Sequence, residues 1–143
     1  MSKETCKKFV FNDNGGEFML TVKERDNDYT EAALKELNGT LGGNERVLIM
    51  DDDGRPIGFS VLALDGKDVL IRQVYVKNEY DFRFFDLLAR STLNFVNLFD
   101  VPMTVKVKAD DYYKPFGFEA EADGYMYVKS DKITFKGSLC GGH

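Results

Sequence analysis

Tyr113-Lys114-Pro115-Phe116-Gly117-Phe118 is the stretch on which the fold reading depends. Residues 110–115 leading into it read as a turn or a very short helix. Just upstream, residues 103–107 form an expected strand, and Pro102 ends the element before it, because a proline pushes its predecessor out of helical geometry. That element, residues 78–99, carries the strongest helical pattern in the chain. Phe84, Leu87, Leu88, Ser91, Phe95 and Leu98 recur at three and four residues and predict one buried face. Asn78 is the expected cap, with Asp81 at the third position. A strand that follows a helix implies a crossover, which predicts that 103–107 lies parallel beside the strand preceding the helix. Downstream, residues 125–128 and 132–136 read as closing strands, and the Gly-rich 137–143 as a mobile tail.

Further upstream the turn chemistry is explicit. Asp53-Gly54 and Asp65-Gly66 separate three apolar runs, residues 46–50, 56–64 and 68–76, and the Asp-Gly pair favours a two-residue hairpin loop. An antiparallel meander follows. Residues 28–37 predict a short helix with Asp28 as cap, Glu31 as its partner in a capping box, and Ala33, Leu34 and Leu37 as the apolar stripe. Residues 8–11 and 18–22 flank Asn12-Asp13-Asn14-Gly15-Gly16, which predicts a first hairpin or a strand with a loose N-terminal partner. The fold class is therefore α+β with a mixed sheet. It is expected as one domain over 1–143 with its core at about 18–128.

The net charge of -5 argues against a nucleic-acid partner, whose capture needs a basic footprint. No run approaches the roughly 20 apolar residues of a membrane helix. Residues 1–8 are polar, so no export signal is expected and a cytoplasmic location is. Cys6 and Cys140 are then expected as free thiols. Asp51-Asp52-Asp53 lacks the spacing of a calcium loop and reads as a solvated hairpin. Cys140-Gly141-Gly142-His143 offers two ligands where zinc takes four, so no metal is expected. The only histidine is the last residue, which excludes a histidine-based triad on a rigid element.

Tyr113 to Phe118 resembles the closing signature of the GCN5-related N-acetyltransferase (GNAT) superfamily. That signature is a tyrosine ahead of a hydrophobic-Gly-Phe turn, here with one residue more between. Val69 to Val76 resembles the family's fourth strand, and Asp53-Gly54-Arg55-Pro56-Ile57-Gly58-Phe59 its hairpin before the central strand. The likeness spans about residues 18–128. It implies the acyl-CoA N-acyltransferase fold, with acetyl moved from acetyl-coenzyme A to an amine of a small molecule or peptide. It also implies roles. Tyr113, or its neighbour Tyr112 if the register slips, protonates the departing thiolate. Backbone N–H groups of Val74, Tyr75 and Val76 polarise the thioester. The turn into the long helix holds the cofactor pyrophosphate.

The sequence departs from the family at that turn. Lys77-Asn78-Glu79-Tyr80-Asp81-Phe82-Arg83-Phe84-Phe85-Asp86 contains no glycine, three phenylalanines and three acids, where the family has a Gly-rich loop. Lys77 and Arg83, with Arg90, are candidate substitutes that grip phosphate by side chain, and Asn78 with the N–H groups after it is a candidate anion site. No general base is evident; Asp68 and Glu79 are the nearest acids to the fourth strand. The alternative reading is a GNAT-like module without catalysis that binds a partner protein or another small ligand. Dimers are common in the family, and the sequence leaves the oligomeric state open.

Overall fold

The computed structural model describes residues 8–11 and 16–135. Its elements are β1 (Lys8–Phe11), β2 (Gly16–Lys23), α1 (Asn27–Glu36), β3 (Glu45–Asp52), β4 (Arg55–Asp65), β5 (Asp68–Val76), α2 (Phe82–Asn97) and β6 (Thr104–Lys108), then the 3-10 helix (Asp111–Phe116), β7 (Glu119–Ala120), β8 (Tyr125–Lys129) and a final 3-10 turn (Ser130–Lys132). The strands form one sheet in the order β1-β2-β3-β4-β5-β6-β8-β7. Every pairing is antiparallel except β5 with β6, which is parallel as the helix between them requires. Asp53 and Gly54, at φ of 55° and 87°, make the left-handed two-residue turn expected of Asp-Gly.

Two irregularities give the sheet its working shape. Met50 pairs with Gly58 and Asp51 with Pro56, which leaves Ile57 as an extra residue on β4. Val61 pairs with Gln73 and Leu62 with Ile71, which leaves Arg72 as an extra residue on β5. Side chains alternate faces along a strand, so each bulge reverses the alternation beyond it. Before Arg72, Val69 and Ile71 face α2; after it, Val74 and Val76 do. Without the bulge those two valines would point to the opposite side.

The core has two parts. On one face α2 buries Phe84, Leu87, Leu88 and Phe95 against Leu48, Leu62, Val105, Met126 and their neighbours. The sole described polar pair across this interface is satisfied: Ser60 Oγ lies 2.7 Å from Thr92 Oγ1, which donates to the Leu88 carbonyl. On the other face α1 packs Ala33, Leu34 and Leu37 over Val47, Ile49, Phe59 and Val61. Phe116 and Phe118 close the α2 side, both buried, and Gly117 between them adopts φ of 102°, a left-handed value that a side chain would strain.

Several sequence expectations need correction. α1 is capped by Asp26, whose carboxylate accepts from the Tyr29 N–H, not by Asp28 with Glu31. α2 starts at Phe82 with Asp81 as cap, because Lys77 N–H still bonds the Ile57 carbonyl and Tyr80 N–H then closes a turn on Lys77. Asn78 lies in that turn. Leu98 caps the far end of α2 and is exposed. Residues 132–135 are not a strand: Thr134 N–H bonds the Phe116 carbonyl, which fastens the segment across the Gly117 turn instead of along a strand edge. Asp51 and Asp52 belong to β3 and are buried, so the hairpin is not solvated there. The thiols Cys6 and Cys140 and the tail 137–143 lie outside the described residues. Among the described residues no helix is long and apolar enough to cross a membrane.

Candidate active site

The parallel pairing of β5 with β6 runs from Asp68↔Thr104 to Ile71↔Val107 and stops. β5 continues to Val76, still paired with β4, while β6, paired with β8 along its whole length, ends at Lys108. The departure coincides with the Arg72 bulge, which bends the strand that carries it. From Arg72 to Val76 the β5 edge away from β4 therefore has no strand partner among the described residues. This edge, the turn 77–81, the first turns of α2 and the 3-10 helix all meet at one end of the sheet.

Tyr113 stands in the 3-10 helix as a member of the α2-side core, against which Val74 and Val76 also pack. Its ring lies 5.0 Å from Tyr112 and 5.4 Å from Phe118, centroid to centroid. Burial, aided by the Asp110 charge, pushes its phenol up to about 12, so it keeps its proton at neutral pH.

Tyr112, beside it, is tied to α2. Its hydroxyl donates to Asp86 Oδ1 at 2.5 Å, Asp86 is held by Arg90 Nε at 3.0 and 3.1 Å, and the Arg90 guanidinium lies 4.9 Å from the centre of the Phe116 ring. Two residues of the 3-10 helix and two of α2 thus close a ring. Burial first, then the bond to Asp86, raises the Tyr112 phenol further than Tyr113. Phe82 and Phe85 stack edge-on to Tyr112 at 5.7 and 5.3 Å, and a cavity of about 320 Å3 lies between α2 and the 3-10 helix.

The α2 N-terminus carries its own anion. Asp81 accepts from the Arg83 N–H, and the Arg83 guanidinium closes on both carboxylate oxygens at 2.6 to 3.2 Å. Arg83 holds the Asp81 carboxyl below its usual range. A carboxylate here takes the favourable end of the helix dipole.

No family model matches the sequence, and no curated protein does. Solved structures match the fold. The ribosomal-protein-S18-alanine N-acetyltransferase from Escherichia coli superposes with a TM-score of 0.57 at 14% identity, over 83% of this chain and 97% of that one. A GNAT family N-acetyltransferase from Escherichia coli, solved in complex with CoA, gives 0.54 at 17% identity over 84% and 85%. An acyl-CoA N-acyltransferase from Pseudomonas aeruginosa gives 0.53 at 16% identity over 78% and 98%. The fold is that of the GNAT N-acetyltransferases. At these identities the likeness is one of fold, and the chemistry has to be argued from the residues.

Within this GNAT fold the residues expected from sequence are only partly brought together. Val74 and Val76 share a cluster with Tyr113; Tyr75 faces the other way, 5.6 Å from Phe59. The cations do not converge on a common point. Lys77 Nζ is 3.7 Å from Glu79, Arg83 holds Asp81, and Arg90 holds Asp86. Asn78 is exposed in the turn. Sequence reading missed the Arg72 bulge, which has no residue-type signature, and the Tyr112–Asp86–Arg90 ring, of which only the i,i+4 spacing of Asp86 and Arg90 was visible. Asp51, expected in a solvated hairpin, is instead buried. This buried acid on the α1 side is bonded by Arg25 at 2.7 Å and by the Tyr29 hydroxyl, and burial and Asp51 push the Tyr29 phenol up to about 12. Among the described residues no cluster of His, Cys, Asp or Glu is placed to hold a metal.

Proposed function

We propose that this chain is an N-acyltransferase that moves acetyl from acetyl-coenzyme A to an amine of a small molecule or peptide. The observation that carries the reading is the unpaired β5 edge from Arg72 to Val76 beside a protonated, buried Tyr113. Acetyl-coenzyme A supplies an activated acyl carbon and a thiol leaving group. An open strand edge suits its extended, amide-bearing arm, because the free backbone groups can bond the amides as a further strand would. N–H groups among Val74, Tyr75 and Val76 then polarise the thioester carbonyl. The neutral amine nitrogen forms the new C–N bond as the C–S bond breaks, and the proton it sheds passes through water to the departing thiolate, giving the amide and the free thiol of coenzyme A. Tyr113 donates a hydrogen bond to the departing sulfur. Full proton transfer from a phenol near 12 to a thiolate of ordinary pKa about 8.5 is uphill, so donation is its main contribution.

The pyrophosphate end fits less well. Asp81 holds the helix terminus, so phosphate has to compete with a carboxylate already bonded there. That observation favours a second reading, a GNAT-fold module without catalysis that binds a partner protein or another small ligand.

Calorimetry with acetyl-coenzyme A separates the two. The wild type is expected to bind with a dissociation constant of roughly 1 mM, and Asp81→Asn to bind about tenfold more tightly, since it removes the competing charge. Thiol release in the presence of an amine panel should accompany binding and should fall in Tyr113→Phe with little change in affinity. No binding by either protein at millimolar acetyl-coenzyme A would leave the module reading.

A further inference from the structure

Among the described residues, α1 covers its face of the sheet over β3, β4 and Tyr75 of β5, and no other helix lies on that face. Across β5, β6 and β8, Val69, Val105, Val107, Met126 and Val128 face α2, so the residues between them stand on the α1 side without a helix over them. The register aligns Ala63, Leu70, Lys106 and Tyr127 in one row across four strands, and Asp65, Asp68, Thr104 and Lys129 in the next. A cavity of about 370 Å3 lies over these rows, with Ala63 and Leu70 among its lining. It is at the opposite end of β5 from the unpaired edge, and neither residues 72–77 nor Tyr113 lines it.

Its charge is divided. Asp65 and Asp68 are direct cross-strand partners, a like-charge placement that destabilises a strand pair unless a cation intervenes. No described Lys or Arg is within ion-pair distance of either, and no described carboxylate is within that distance of Lys106. The Lys106 ammonium lies 4.3 Å from the Tyr125 ring centre and 5.8 Å from that of Tyr127. Asp123, which also faces it, already accepts from the Tyr127 hydroxyl and the Tyr125 N–H.

We propose that this cavity binds a small apolar zwitterion of dipeptide length. Its ammonium meets Asp65 and Asp68, its carboxylate meets Lys106, and its side chains lie on Leu70, Ala63 and the Tyr127 ring. Asp68 and Lys106 are diagonal neighbours on adjacent strands, on the order of 8 Å apart at the backbone. An extended dipeptide spans at most about 7 Å, which the two side chains bridge.

The test is a titration of the 15N-labelled chain with L-leucyl-L-phenylalanine. Saturable shifts are expected at Asp68 to Leu70, Thr104 to Lys106 and Tyr127, with a dissociation constant below about 1 mM. N-acetylating or C-amidating the dipeptide should each weaken binding at least about tenfold, since each removes a charge-assisted contact. In Asp68→Asn the N-acetyl group should matter much less, and in Lys106→Gln the amide should. Neither substitution removes an internal ion pair, so the fold should persist, as an otherwise unchanged amide spectrum would verify. Absence of saturable shifts at millimolar dipeptide, shifts centred on residues 72–77, or capped dipeptides binding as tightly as the free one would each overturn the proposal.

Discussion

Between Asp68 and Ile71, β5 has a strand on each side, and Val69 and Ile71 are buried beneath α2. Between Arg72 and Val76 the same strand keeps only β4, and Val74, Tyr75 and Val76 are half-buried. One bulged residue separates the two halves. The first half is a core strand whose backbone is paired on both sides and whose valine and isoleucine are committed to the α2 core. The second has backbone groups to offer a ligand, and it is held in place by β4 and by the two valines that the bulge turns back toward α2. A site can thus be opened in a sheet without a gap in its core, provided the strand re-phases where it leaves its neighbour.

Mutation should expose this division. Ile71→Ala is expected to cost about 2–5 kcal/mol, as for large-to-small changes in a packed interior, whereas Val76→Ala should cost less than about 1.5 kcal/mol. Chemical denaturation measures both. Equal losses would mean that the end of β5 is as structural as its beginning, and would weaken the case for an open edge.

The contact between α2 and the 3-10 helix sharpens the comparison, because it bounds the open half from the far side. Tyr112→Phe removes the hydroxyl that bonds Asp86, and a bond to a charged group contributes about 1.5–3 kcal/mol. A stability loss in that range is expected. A change below about 0.5 kcal/mol would show that Arg90 alone satisfies Asp86 and that the ring does not fasten the 3-10 helix.

How much of this was legible follows the same line. The paired half of β5, the meander, the crossover and the Gly117 turn were readable, because Asp-Gly turns, apolar periodicity and Pro102 act locally on the backbone. The parallel neighbour of β5 was expected and is present. The open half was not readable in the same way. The bulge at Arg72 arises from how two strands register, and nothing in Ile71-Arg72-Gln73 marks the middle residue as extra. Asparagine caps helices well and points to Asn78 as the cap of α2, but the strand-like bond of Lys77 to Ile57 delays the helix until Asp81. Acids near a turn are normally solvated, which is the expectation for Asp51 and Asp52; Arg25 and Tyr29, distant in sequence, bond the first of them in a buried position.

The smallest expected effect concerns Tyr113 itself and is read from pH. Its phenol is pushed up to about 12 by burial and then by Asp110, against an ordinary value of 10.0. Below pH 10 the proton stays on in both folded and unfolded chains, so the shift has no influence on the pH dependence of stability. Above pH 10 the unfolded chain releases that proton while the folded chain holds it to about 12, so the unfolded state binds fewer protons and stability falls as pH rises. The slope from one such group is at most about 1.4 kcal/mol per pH unit. Tyr113→Phe should make the decline between pH 10 and 12 shallower by up to that amount, leaving the parts due to Tyr29 and to the other raised phenols, Tyr80, Tyr112 and Tyr127. If the decline in Tyr113→Phe matches the wild type, Tyr113 titrates as a solvated phenol. The proposed hydrogen-bond donor at the open end of β5 would then lack the buried setting that keeps it protonated.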